Sequence, residues 1–159
     1  MTDSPRPRVS RTAYLLGYAG LLPQVAAAAL GASVKLGLDR HGQLLTAAHV
    51  LAFGYSALIL SFLGGVWWGF AMRRLTGQGA LAAVAVVPSL AAGALLLLTF
   101  AKGAERWALV LLGLAITLTL PVDRYLAATR EAPEGWMALR VPLSLGLGGL
   151  TVLVAVLLP

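Results

Sequence analysis

Cysteine is absent from the chain, which removes a disulfide framework, a thiolate metal site, a cysteine nucleophile and c-type haem attachment together. Charge is scarce too. Only 11% of the 159 residues are Asp, Glu, Lys or Arg, against about 25% in an ordinary soluble domain. The motifs of common chemistry are missing as well: no P-loop, no Rossmann glycine fingerprint, no H-E-x-x-H, no G-x-S-x-G and no paired carboxylates inside the apolar runs. His41 and His49 lie eight residues apart, show no metal-ligand spacing and supply no evident axial pair for haem. The expectation is a chain that is not an enzyme and carries no metal or cofactor.

What the chain has instead is apolar sequence, 59% of it hydrophobic with a mean hydropathy of +0.86. Ala, Leu, Val and Gly fall in long runs, and runs near 20 residues are read as helices that cross the hydrocarbon core. Five spans are expected, at 12–36, 44–72, 79–101, 105–122 and 140–158, forming one all-α transmembrane domain over 12–159 behind a basic tail at 1–11. Arg6, Arg8 and Arg11 before the first run, and Ala26-Ala27-Ala28 within it, imitate a signal peptide. With four further spans behind it, this run reads as a signal anchor and first span.

The formal charge of +6 is spread among the caps of the runs, which suits membrane topology better than nucleic acid. Arg6, Arg8, Arg11, Arg73, Arg74, Arg124, Arg130 and Arg140 lie in the tail and the even connections, whereas Lys35, Arg40, Lys102 and Arg106 lie in the odd ones. Cytoplasmic loops carry the excess of Lys and Arg, so the N-terminus is expected inside and the C-terminus outside. Tyr14, Tyr18, Trp67, Trp68, Trp107, Tyr125 and Trp136 sit mostly near span ends, where amphipathic rings report depth. Between Asp123 and Arg140 a short surface helix is expected, broken near Pro133-Glu134-Gly135.

The second span carries the most specific text, from Tyr55 to Gly69. Gly54, Ser61, Gly65 and Trp68 fall on one helical face, and Gly65 and Gly69 form a G-x-x-x-G pair. That face reads either as a helix-packing surface or as a groove for a lipid or quinone beside the tryptophans. His49, an ionisable group near the outer interface, reads as a solvated or hydrogen-bonded residue or as a proton relay. Gln24 follows Pro23, whose ring frees a backbone carbonyl that the amide can satisfy unless it bonds a neighbouring helix. Pro88 and Pro121 are read as further bends. Asp123 and Arg140 bracket the fourth connection and form a candidate ion pair, the alternative being two charges that snorkel separately.

At these residues the chain resembles a family of uncharacterised small bacterial inner-membrane proteins that includes the mitochondrial transmembrane protein 69 of animals. The resemblance rests on Tyr55, on Ile59-Leu60-Ser61-Phe62-Leu63-Gly64-Gly65 and on Trp68-Gly69, with further matches at Gly17, Gly20, Pro23, Pro88, Asp123, Trp136 and Leu139-Arg140. The chain departs from the pattern at Trp67, where a His or Arg often precedes the Trp-Gly pair, and at Ser144, where Thr is usual. The resemblance implies a multi-pass bundle in the bacterial inner membrane, with a hint of energy-converting membranes.

Two functions follow as expectations. The first is an accessory or assembly subunit of a larger membrane complex, motivated by the small-residue faces at Gly64, Gly65 and Gly69 and at Ser144, Gly148 and Gly149. The second is a carrier or binding protein for a small apolar molecule or a proton, with Gln24, His49, Ser61 and Trp68 around an interior cavity.

Overall fold

The computed structural model describes residues 7–100 and 104–158. The tail through Arg6, the expected third-span end at Ala101, Lys102 and the last residue, Pro159, lie outside them. The helices are α1 (Arg11–Ala19), α2 (Leu22–Lys35), α3 (Gln43–Ala71), α4 (Gln78–Leu98), α5 (Glu105–Thr117), α6 (Leu120–Ala128) and α7 (Trp136–Leu157). They compose five segments long and apolar enough to cross a membrane, with α1 and α2 joined in the first and α5 and α6 in the fourth. At 1.5 Å per residue, α3 is about 43 Å long, so it tilts or projects beyond a core about 30 Å thick.

Both interruptions have a proline as their cause. Pro23 sits in the first turn of α2 and cannot donate, while the Gln24 amide bonds the Leu21 carbonyl at 3.1 Å rather than that of Gly20. The Tyr55 hydroxyl of α3 donates to the freed Gly20 carbonyl. Pro121 likewise opens α6, where the Thr119 hydroxyl bonds back to the Ile116 carbonyl at 2.6 Å. Pro88, by contrast, lies inside an unbroken α4, and its buried ring packs against α3.

The fourth connection differs from the expected loop with a surface helix. The fourth segment runs on through α6 to Ala128, and α7 begins at Trp136, so the link is short. Asp123 therefore stands within the apolar segment rather than after it. Gly135 takes the left-handed conformation at φ 83° that lets the chain turn into α7, and its carbonyl accepts from the Tyr14 hydroxyl at 3.1 Å.

α3 is the central helix, packed on α2, α4, α5 and α7, and α5 crosses α7 closely. At that crossing a Cβ on Gly113 would stand 2.6 Å from the Gly148 carbonyl oxygen, and the converse holds for Gly148. Lipid tails are as apolar as leucine, so close backbone approach of this kind supplies the packing energy that burial supplies in water. The larger apolar cluster joins α2, α3, α4, α5 and α7, among it Leu60, Ala92, Leu109, Leu112, Ile116 and Val154. A smaller one, around Trp67, Ala71, Leu126 and Ala132, lies at the end of the bundle that carries the tail.

Candidate functional site

At that end the chain builds a buried polar centre on Asp123, which is 1% exposed. Its Oδ1 accepts from the indole N–H of Trp67 at 3.1 Å and of Trp136 at 3.3 Å, and its Oδ2 accepts from Arg140 Nε at 2.8 Å. The Arg140 guanidinium also lies 6.0 Å from the centre of the Trp136 ring, which Phe70 meets edge-on at 5.9 Å. α3, α6 and α7 each contribute, so the centre ties three helices together. The ion pair Asp123–Arg140 is thus formed and desolvated.

The connections above this centre are clamped as well. Arg74 grips Glu131 through two hydrogen bonds at 2.7 and 2.6 Å and lies 5.5 Å from the Tyr125 ring centre. The Arg74 guanidinium holds the Glu131 carboxyl below the usual carboxylate range, and Glu131 in turn raises Arg74. The tail crosses here, with Val9 and Pro7 bonded to the Glu134 backbone and Arg8 paired with its carboxylate at 2.7 Å. At the opposite end Asp39 precedes α3, its carboxyl lowered chiefly by the Leu45 amide, with Leu44 adding to it.

Beside the Asp123 centre a cleft opens between α1 and α3. Interruption of the first span leaves α1 resting mainly on α7, while α2 packs on both α3 and α7. An outer chamber of about 760 Å³ includes Arg8, Arg73, Arg130 and Glu131 in its wall. An inner chamber of about 370 Å³ continues among Leu16, Leu21, Tyr55, Ile59 and Leu147. Gly17, Phe62, Leu63, Arg140 and Leu143 line both. Two buried groups of this wall, Arg140 Nη2 and Ser144 Oγ, have no hydrogen-bond partner among the described residues. Phe62 is 64% exposed, so the cleft is open sideways as well as at its end.

Of the four residues expected around one interior cavity, none lines either chamber of this cleft. Gln24 belongs to a separate polar node, donating from Nε2 to Thr151 Oγ1 at 3.0 Å, while Ser56 Oγ lies 2.8 Å from the same oxygen. Thr151 also donates to the Leu147 carbonyl at 2.7 Å. The Gln24 amide therefore bonds a neighbouring helix, and the carbonyl freed near Pro23 is met by Tyr55. Ser61 pairs with Ser89 of α4 at 2.9 Å. His49 Nε2 is buried without a partner among the described residues, away from the cleft walls. Trp68 is 46% exposed and faces outward.

The glycine face also divides differently from the expectation. Gly64 packs against the Ala85 carbonyl and Pro88 of α4. A Cβ on Gly54, Gly65 or Gly69 would meet nothing within 4 Å, so among the described residues the G-x-x-x-G pair packs on no helix. Gly148 lies in the α5–α7 crossing, whereas Gly149 is open. Sequence reasoning missed Thr151 and gave Ser144 too small a part. Their signal was present: Ser144, Gly148 and Thr151 recur at helical spacing in an apolar run and lie buried on one face.

The family described as "Protein of unknown function (DUF3429)" matches residues 9–157, nearly the whole chain. This chain belongs to the DUF3429 family. The match covers every helix, both polar centres and all of the cleft wall but Pro7 and Arg8, and the family's description assigns no activity. Comparison with curated proteins and with solved structures gives no match. The family and the five apolar segments together make this a multi-pass membrane protein of unknown function.

Proposed function

We propose that this chain is a non-enzymatic binding protein of the bacterial inner membrane that holds an apolar membrane molecule, of lipid or quinone class, between α1 and α3. One observation carries the reading: a cleft that begins at the charged end of the bundle, runs into an apolar chamber and opens sideways where a bilayer would be. Such a shape admits a ligand by lateral diffusion within the membrane. The non-enzymatic part draws on the same wall. Among the described residues Ser144 Oγ has no base within hydrogen-bond reach, and Asp123 is engaged by three donors. The charged end is assigned to the cytoplasm by its excess of arginine.

The test is native mass spectrometry on protein purified in mild detergent. A retained lipid or quinone is expected, and Leu143→Trp, which fills the wall shared by both chambers, should expel it while leaving helicity intact. A wild-type protein that carries no apolar molecule sinks the reading. Trp68→Ala should leave retention unchanged, since Trp68 faces away from the cleft.

A second reading, an accessory or assembly subunit of a larger membrane complex, draws support from the open face of Gly65 and Trp68. A kinship with mitochondrial transmembrane protein 69, proposed from the second-span motif, would suit such a role in an energy-converting membrane. Crosslinking from a residue on that face to another protein would favour it over the ligand-binding reading.

A further inference from the structure

We propose that the cleft selects an anionic phospholipid, its phosphate held by Arg73 and Arg130 at the mouth and its acyl chains lying in the apolar chamber. The inference rests on the ligand-binding reading above and adds the chemistry of the head. Four arginines line the outer chamber, against two carboxylates. Arg8 is paired with Glu134, Arg140 with Asp123, and Glu131 with Arg74. Arg73 and Arg130 have no ion pair among the described residues, so the mouth presents two uncompensated guanidiniums.

Deeper in the wall the need is also for acceptors. Arg140 is 7% exposed, and its Nη2 is unpartnered although Asp123 engages Nε. A guanidinium has five N–H donors and accepts nothing, so whatever satisfies Nη2 must bring oxygen. Ser144 Oγ, 1% exposed and also unpartnered, lies one helical turn further along α7 and can donate to the same class of group. Phosphodiester and ester oxygens supply such acceptors in the order the cleft presents the donors, phosphate outermost. A quinone would answer the inner donors and leave the two outer arginines unmatched. Guanidinium is also the side chain best shaped for phosphate, through paired N–H donors.

The experiment uses the full chain, delipidated and then incubated with equal amounts of phosphatidylglycerol and phosphatidylcholine of identical acyl chains, with bound lipid counted by native mass spectrometry. Phosphatidylglycerol should be retained in preference. The double variant Arg73→Gln/Arg130→Gln should lower that preference about thirtyfold, roughly fivefold for each guanidinium lost near a membrane surface. Both arginines are exposed, so the variant is expected to fold, and circular dichroism checks that it does. Leu143→Trp should abolish retention of either lipid.

Three outcomes overturn the proposal: equal retention of the two lipids, an unchanged preference in the double variant, or displacement by millimolar inorganic phosphate, which would mark a site for soluble anions. Equal retention that Leu143→Trp still abolishes removes the anionic selectivity and leaves the binding reading standing. Retention of neither lipid nor a quinone removes both.

Discussion

Replacing Asp123 by Asn tests the centre that joins α3, α6 and α7. Asn is nearly isosteric and keeps an oxygen for the indoles of Trp67 and Trp136, but it loses the charge and can turn an NH₂ group toward Arg140 Nε. Because Asp123 and Arg140 are 1% and 7% exposed, water does not compensate the guanidinium left behind. Breaking a buried pair from one side costs about 3–5 kcal/mol, most of it the penalty of the stranded charge. Arg140→Met should cost a similar amount, since it strands the carboxylate. The double variant strands neither, and should be less destabilised than the sum of the singles by about 2–3 kcal/mol. Equilibrium unfolding in mixed micelles, followed by tryptophan fluorescence to which Trp67 and Trp136 contribute, measures all four proteins of the cycle. Additivity within about 0.5 kcal/mol would refute the reasoning, because it would mean that the two groups do not compensate one another.

Gly113→Ala, whose Cβ would stand 2.6 Å from the Gly148 oxygen and 2.8 Å from Val152 Cγ2, should cost about 1–3 kcal/mol as α5 and α7 are forced apart. Gly65→Ala, with open space at its Cβ, should be neutral or stabilise by up to about 1 kcal/mol through helix propensity; the same unfolding assay would contradict the packing if it gave the opposite order. Arg74 lowers the Glu131 carboxyl, so this pair contributes in full above the ordinary glutamate range near about 4.3 and is lost as pH falls through the lower folded value. The difference in melting temperature between wild type and Glu131→Gln should therefore hold steady at neutral pH and close in acid. A difference that persists unchanged into strong acid would show that the ion pair is not its source.

Five crossings were legible because uninterrupted apolar sequence of sufficient length has few other stable fates. Pro23 and Pro121 were legible as defects, yet how each is resolved depended on side chains elsewhere, Tyr55 in one case and Thr119 in the other. Gly64 and Gly65 illustrate the limit. They are adjacent and chemically identical, and the first is pressed against α4 while the second is open. In a soluble helix the polar face would have marked the outside, but here lipid and protein interior are both apolar, so the sequence lacks the contrast that orients a helix.

The same physics divides the candidate site. Asp123 and Arg140 were legible as a candidate pair flanking the fourth connection, with separate charges as the alternative. The two indole donors that complete the centre, and the arrangement that leaves Arg140 Nη2 and Ser144 Oγ unpartnered beside a cleft, arise from α3, α6 and α7 meeting. By itself, then, the sequence determined that the chain lives in a membrane, how many times it crosses, and which charged groups lie near its ends, because burial in hydrocarbon is decided by local composition. Tertiary structure decided which glycines pack, that Gln24 bonds α7, and that a broken first span opens a cleft, because these depend on contacts between segments far apart in the chain, for which no local pattern provides a signal.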